Sequence, residues 1–160
     1  MLAREMSSDT YNAWTLGLWV FTLLAGIATI IIYACQLRAM REATRAQNLA
    51  WLVQYLQAPD VRHARHIVMT QIRANDAPGT WPPEHREGAA TACAAYGVAA
   101  VFIELGRVDK KPIVDNWGPS IRKVGKICEG FIAQQRQDNG QEYWRALVAL
   151  IEGVAEPHPK

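Results

Sequence analysis

Charge is absent from one long stretch of this 160-residue sequence: residues 10–37, 28 in a row, carry none between Asp9 and Arg38. Summed over the whole chain, neither sign prevails. Seventeen Lys and Arg against 15 Asp and Glu leave +2, which excludes an acidic or basic tail and argues against a nucleic-acid-binding surface. The three cysteines, Cys35, Cys93 and Cys128, are too few and too scattered for a disulfide scaffold. Cys-x-x-Cys, a phosphate-cradling glycine loop, His-Glu-x-x-His and Gly-x-Ser-x-Gly are all missing, so no cofactor, small-molecule substrate or catalytic residue is expected. Strand-like alternation and internal repeats are missing as well. Disorder is excluded by what is present, since half the residues are apolar and can fill a core.

The charge-free run is too long for the buried helix of a small domain and reads as a membrane span. Residues 13–35 would make a helix of about 34 Å against a hydrocarbon core of about 30 Å. Ten of these residues are Leu, Ile, Val or Phe, which supply about −3 to −6 kcal/mol of insertion free energy. Arg4, Glu5 and Asp9 precede the run; Arg38, Arg41 and Arg45 follow it, with Glu42 alone opposing them. An arginine excess marks the cytoplasmic side, so the amino terminus is expected outside and the remainder inside a bacterial inner membrane. Tyr11, Trp14 and Trp19 suit the outer interface and Tyr33 the inner one. A signal peptide would want a basic leading region, which is lacking. Ile32-Tyr33-Ala34-Cys35 resembles a lipobox with Cys35 as the acylated residue, but Tyr33 is bulky where that pattern takes a small residue. Thr22, Ala25, Gly26 and Thr29 share one face and would allow close approach of a second span.

No Gly or Pro occurs between residues 37 and 57, so the helix is expected to run on out of the bilayer. Leu49, Leu52, Val53 and Leu56 form an i, i+3, i+4, i+7 stripe with Trp51 and Tyr55 beside it, a docking face for a soluble bundle. Asp60 is the expected N-cap of a short amphipathic helix carrying Val61, Ala64, Ile67, Val68 and Ile72 inward. Arg62, His63, Arg65, His66 and Arg73 form its basic face. A turn-rich loop over 75–83 leads to a long helix from about 83 to 105, with Gly106 as its stop. Ala94, Ala95, Val98, Val101, Phe102 and Leu105 are expected to be its buried side. Asp109 is expected to cap a helix over 110–117. Gly118-Pro119 should end it and begin another, with Ile121, Val124, Ile127, Cys128, Phe131 and Ile132 inward. A capping box over 138–142 should start the last helix, lined by Tyr143, Leu147, Leu150, Ile151 and Val154.

Candidate chemistry is thin. His63 and His66 stand i, i+3 on one helix, but nothing completes a metal site and Arg62 and Arg65 would repel a cation. His85 and His158 have no partner nearby in sequence. Cys93 and Cys128 read as small buried thiols, unpaired in a reducing cytoplasm. Glu104, alone among the carboxylates, is embedded in an apolar run and reads as paired with an arginine. The basic residues say more. Six arginines against two acids over 38–73, with Arg122, Lys123 and Lys126, suit an anionic leaflet or an acidic partner.

After the apolar run come Leu37-Arg-Ala-Met-Arg-Glu-Ala-Thr-Arg-Ala-Gln47, Trp51-Leu-Val-Gln-Tyr-Leu56, Asp60-Val-Arg-His-Ala-Arg65 and Val101-Phe-Ile-Glu-Leu-Gly106. Trp117-Gly118 with Ile121, Phe131-Ile132 through Arg136, and Tyr143-Trp144 follow. This order of features resembles a family of small bacterial single-pass membrane proteins classed only as a domain of unknown function. The resemblance implies a helical inner-membrane protein and brings no catalytic residue.

The expectation is therefore an all-α protein: 1–12 extracytoplasmic, 13–36 transmembrane, 37–57 a juxtamembrane helix, and 58–160 a cytoplasmic bundle, with five or six helices after the span. Its expected role is non-enzymatic. It would be a membrane-anchored protein-interaction module, an accessory subunit of an inner-membrane complex or a self-associating scaffold, whose partners are the bilayer and another membrane protein or itself. The alternative is a membrane-perturbing effector or phage-related exclusion factor acting through span oligomerisation.

Overall fold

Helix α1 (Ser8–Leu56) runs unbroken for 49 residues, as a stretch free of Gly and Pro beyond residue 37 requires. The computed structural model describes residues 8–73 and 76–155, with side chains from 14 to 154. Arg4, Glu5, Asn75 and His158, and the side chains of Asp9 and Tyr11, lie outside the described residues. Among the described residues the chain is all-helical and divides into two units, Met1–Ala43 and Thr44–Lys160.

The first unit holds α1 as far as Ala43, the apolar run and the first charged residues after it. Every described side chain from Trp14 to Ala43 is exposed, including Trp14, Leu16, Trp19, Phe21 and Ile30 at 70% or more. A helix apolar all round with no protein surface to cover it is suited to lipid. It contains one stretch long and apolar enough to cross a membrane.

The second unit holds the end of α1 and helices α2 (Pro59–Gln71), α3 (Pro83–Glu104), α4 (Lys110–Ile127), α5 (Glu129–Asn139) and α6 (Arg145–Ala155). The 57–58 turn is short, and Leu52 and Leu56 are fully buried with Leu49 and Val53 packed beside them. The docking stripe of α1 thus does what its spacing implies. Helix α2 lies on α3, α3 on α6, and α4 on α6. The core is continuous from Leu52 and Val61 through Tyr96 and Ile113 to Ile121 and Leu147. Ile121, Val124, Ile127, Cys128, Phe131 and Ile132 all face inward, as expected.

Several local expectations give way to packing. The N-cap of α2 is Ala58, not Asp60. Pro59 takes the first helical position, where its missing N–H costs nothing, and Asp60 sits in the first turn, where the helix dipole favours a negative charge. Asp109 does occupy the N-cap of α4, without a side-chain hydrogen bond. Pro119 neither ends nor starts a helix, because α4 continues through it. The proline forfeits one intrahelical bond, but Trp117, Gly118 and Ile121 around it are buried, and that packing holds the helix together. The break comes instead at Cys128, whose N–H donates to Val124 O and whose carbonyl accepts from Ile132 N–H, both at 2.8 Å. The 138–142 capping box does not open α6 either. Asp138 and Asn139 finish α5, Gly140 turns the chain at φ +98°, and α6 begins at Arg145.

Helix α3 is the largest correction. Of its expected core residues only Ala95 is buried; Val98 and Phe102 are half-buried, and Ala94, Val101 and Leu105 are exposed. The buried face is instead Gly88, Ala89, Ala92, Cys93, Tyr96, Ala99 and Ala100. Small side chains let neighbouring helices approach closely. A Cβ added at Gly88 would stand 3.1 Å from Ile67 Cγ2. Helix α3 therefore turns its small face to α2 and α6 and leaves its larger residues outside. It ends as expected at Gly106, with φ +63°. Gly106 N–H donates to Ile103 O at 3.0 Å and Arg107 N–H to Phe102 O at 2.9 Å, the paired closing bonds of a Schellman end.

Candidate interaction surface

The basic residues divide by what their side chains touch. Arg65 is half-buried, and its Nη2 donates to Leu56 O at 2.9 Å, with Nη1 3.5 Å from the Tyr96 hydroxyl. Tyr96 is itself fully buried and shares a hydrogen bond of 2.6 Å with Ser120 Oγ. Arg122 donates from Nη2 to Val154 O at 2.8 Å. Both arginines thus satisfy carbonyls at helix ends, of α1 and α6, that have no intrahelical partner. Arg38, Arg41, Arg45, Arg62, Arg73, Lys123 and Lys126 are exposed. The cationic set read from the sequence is therefore split: part caps helices and part faces outward.

On α1, Thr22, Ala25, Gly26 and Thr29 are all exposed, and nothing lies within 4 Å of a Cβ built at Gly26. The two threonine hydroxyls donate back to Leu18 O and Ala25 O, each at 2.8 Å. Their hydrogen-bonding need as donors is met within the helix.

His63 and His66 are both exposed, and His85 Nε2 lies 3.1 Å from Gln71 Oε1. Among the described residues no three His, Cys, Asp or Glu side chains group closely enough to hold a metal ion. Cys93 and Cys128 are buried free thiols, and Cys35 is exposed. A side-chain hydrogen bond with Cys128 and burial together raise the Cys93 thiol well above its ordinary range.

Glu104 is paired with an arginine, as its setting implied. Arg145 donates from Nη2 to Glu104 Oε1 at 2.7 Å and reaches Glu142 Oε2 from Nη1 at 3.3 Å. All three are well exposed, so the pairs set geometry more than stability. They edge the feature that the sequence reading missed, an open apolar trough of about 620 Å³.

The floor of the trough is the outward stripe of α3: Ala94, Val98 and Val101, continued by Leu105, which is 65% exposed. On one side Phe102 stacks on Trp51 at 5.3 Å, and Trp51 stacks on Tyr55 at 5.4 Å. On the other stand Tyr143 and Trp144, 4.8 Å apart. Trp144 takes a positive φ of 56°, a left-handed conformation uncommon for a bulky residue. Its surroundings enforce it. The indole covers Gly97, where a Cβ would be 3.6 Å from Trp144 Cδ1, and packs 6.1 Å from Phe131. Arg136 Nε and Nη2 both donate to Gln141 O, at 3.0 and 2.7 Å, and clamp the turn that carries it. A strained aromatic held beside an exposed apolar stripe is the kind of place where function concentrates.

This fold and its trough have a family context. A family model described as a domain of unknown function, DUF4760, matches residues 21–154. The chain belongs to the DUF4760 family. The match begins inside the apolar run of α1 and ends in α6, so the DUF4760 domain takes in part of the candidate span as well as the trough. No curated protein and no solved structure matches the chain.

The trough was hidden because its stripe has the same period as a buried one. The usable signal lay on the opposite face, where Gly and Ala recur at 88, 89, 92, 95, 99 and 100. Two faces of one helix cannot both be innermost, and the smaller residues pack closest.

Proposed function

We propose that this chain is a non-enzymatic, membrane-anchored protein-interaction module of a bacterial inner membrane. It acts as an accessory subunit of a membrane complex or as a self-associating scaffold. The observation that carries the reading is the exposed apolar trough on α3, flanked by Trp51 and Trp144 in the second unit. Contiguous apolar surface of this kind on a folded unit marks a site for association. The wholly exposed apolar length of α1 supports the anchor. The arginines at 38, 41 and 45 support an amino terminus outside and the second unit in the cytoplasm. There Arg62, Arg73, Lys123 and Lys126 face outward and suit an anionic leaflet or an acidic partner.

The test is the mass of the detergent-solubilised chain and what it purifies with from native membranes. A discrete complex that is lost on Leu105→Glu, with the fold intact, supports the reading. A monomeric chain without partners overturns it. Open space at Gly26 keeps a second reading, an effector or exclusion factor that perturbs membranes through span association at Thr22, Ala25, Gly26 and Thr29. Dye release from liposomes that disappears on Gly26→Leu would favour it over the first.

A further inference from the structure

Resting on that reading, we infer that the occupant of the trough is a second copy of this chain, with the two α3 helices packed antiparallel. The outward stripe is graded in size. Ala94, Val98, Val101 and Leu105 fall within about 60° of one another around α3 at 100° per residue, small at the amino-terminal end and large at the carboxy-terminal end. Reversing a copy against itself sets Ala94 opposite Leu105 of the second copy and Val98 opposite Val101. Each large residue then meets a small one, which is how helices interlock without voids. A parallel copy would set Leu105 against Leu105 and leave a gap between the two Ala94 side chains. The pattern thus fits one orientation and satisfies the self-complementarity that a two-fold interface demands.

The charges beside the stripe agree. Glu104 and Glu142 both pair with Arg145 at the edge of the trough, so this rim carries both signs rather than the single sign that a strongly acidic or basic partner would want. A second copy brings the same mixed set. Trp51 at 47% and Tyr143 at 39% exposure stand on the two sides of the stripe and supply the aromatic contact area that interface cores favour.

The experiment uses the full chain with Cys35→Ser, since Cys93 and Cys128 are buried. Two differently tagged forms, one with Ala94→Cys and one with Leu105→Cys, are co-expressed in membranes and oxidised. Both positions are exposed, so neither change threatens the fold. Disulfide-linked chains should form between the two forms and not within either. In the antiparallel pair like positions are about 16 Å apart along the axis at 1.5 Å per residue, beyond disulfide reach. Val98→Glu should weaken the dimer by about tenfold or more, and adding Val101→Lys should recover it as opposite charges meet across the axis. Links within one form in preference, or no links at all, overturn the inference.

The two failures are separable. If Leu105→Glu releases a foreign protein while the mixed forms never link, the second copy is wrong and the interaction module stands. If nothing is released and nothing links, both fall.

Discussion

Gly125 stands where α4 comes closest to α6: an added Cβ would lie 2.7 Å from Ile151 Cγ2 and 3.0 Å from two more atoms of that side chain. Isoleucine is branched at Cβ and has little freedom to move aside. Gly125→Ala is therefore expected to destabilise the second unit by about 1–3 kcal/mol in urea melts, with part of the loss recovered when Ile151→Ala is added. Arg65 and Arg62, three positions apart on α2, should behave differently. Arg65→Ala strands the carbonyl of Leu56 and is expected to cost about 1.5–3 kcal/mol. Arg62→Ala should stay within about 0.5 kcal/mol, because Arg62 is exposed. Cys93 gives the pH dependence. Its thiol is raised in the folded chain, so the unfolded chain ionises first, from about pH 8.5. The stability tied to the neutral thiol is whole below that pH and is lost as pH rises towards the folded value. Melts between about pH 8 and 9.5 should show this decline, and Cys93→Ala should flatten it.

Helix ends and helix faces differ in how much local sequence reveals. The Schellman end of α3 was legible because only glycine takes φ +63° readily. Gly106→Ala is accordingly expected to cost about 1–2 kcal/mol, read from the same melts. Pro119 was misleading for the opposite reason: its local preference to end a helix is outweighed by buried neighbours that lie far away in sequence, among them Val154, 3.5 Å from a Cβ built at Gly118. The start of α6 was misplaced by several residues. Two side chains with capping chemistry, Asp138 and Asn139, precede a turn whose course is set by Gly140, the C-cap of α5, by the Arg136 clamp and by Trp144, and none of these caps the start of α6. The rotation of α3 belongs to the same class. Periodicity reports that a stripe exists, whereas which stripe is buried depends on how near α2 and α6 can come.

For the chain as a whole, the all-helical class and the long amino-terminal helix were readable because both follow from composition and spacing along the chain. The trough was not, since it is assembled from α3, the turn at 142–144 and the start of α6, with Trp51 of α1 stacked on its Phe102 edge, and these meet only after folding. The anchor has its own test. Leu24→Arg at the middle of the apolar run should raise the insertion cost by about 3–4 kcal/mol, and carbonate extraction of membranes should then release the chain from the pellet. A signal sequence would show itself differently, as a shortened product lacking α1.

The strained turn at Trp144 and the stack at Trp51 also equip the molecule with two natural lamps, one on each side of the trough. Whatever enters between them must shield indoles from a dissolved quencher such as acrylamide, without any label being added. If α1 is held in lipid or detergent, so that Trp14 and Trp19 are shielded, the quenchable emission should come mainly from this pair, since Trp81 and Trp117 are buried at 4% and 7% exposure. Its fading accessibility as chain concentration rises would report occupancy of the trough directly, in the unmodified protein.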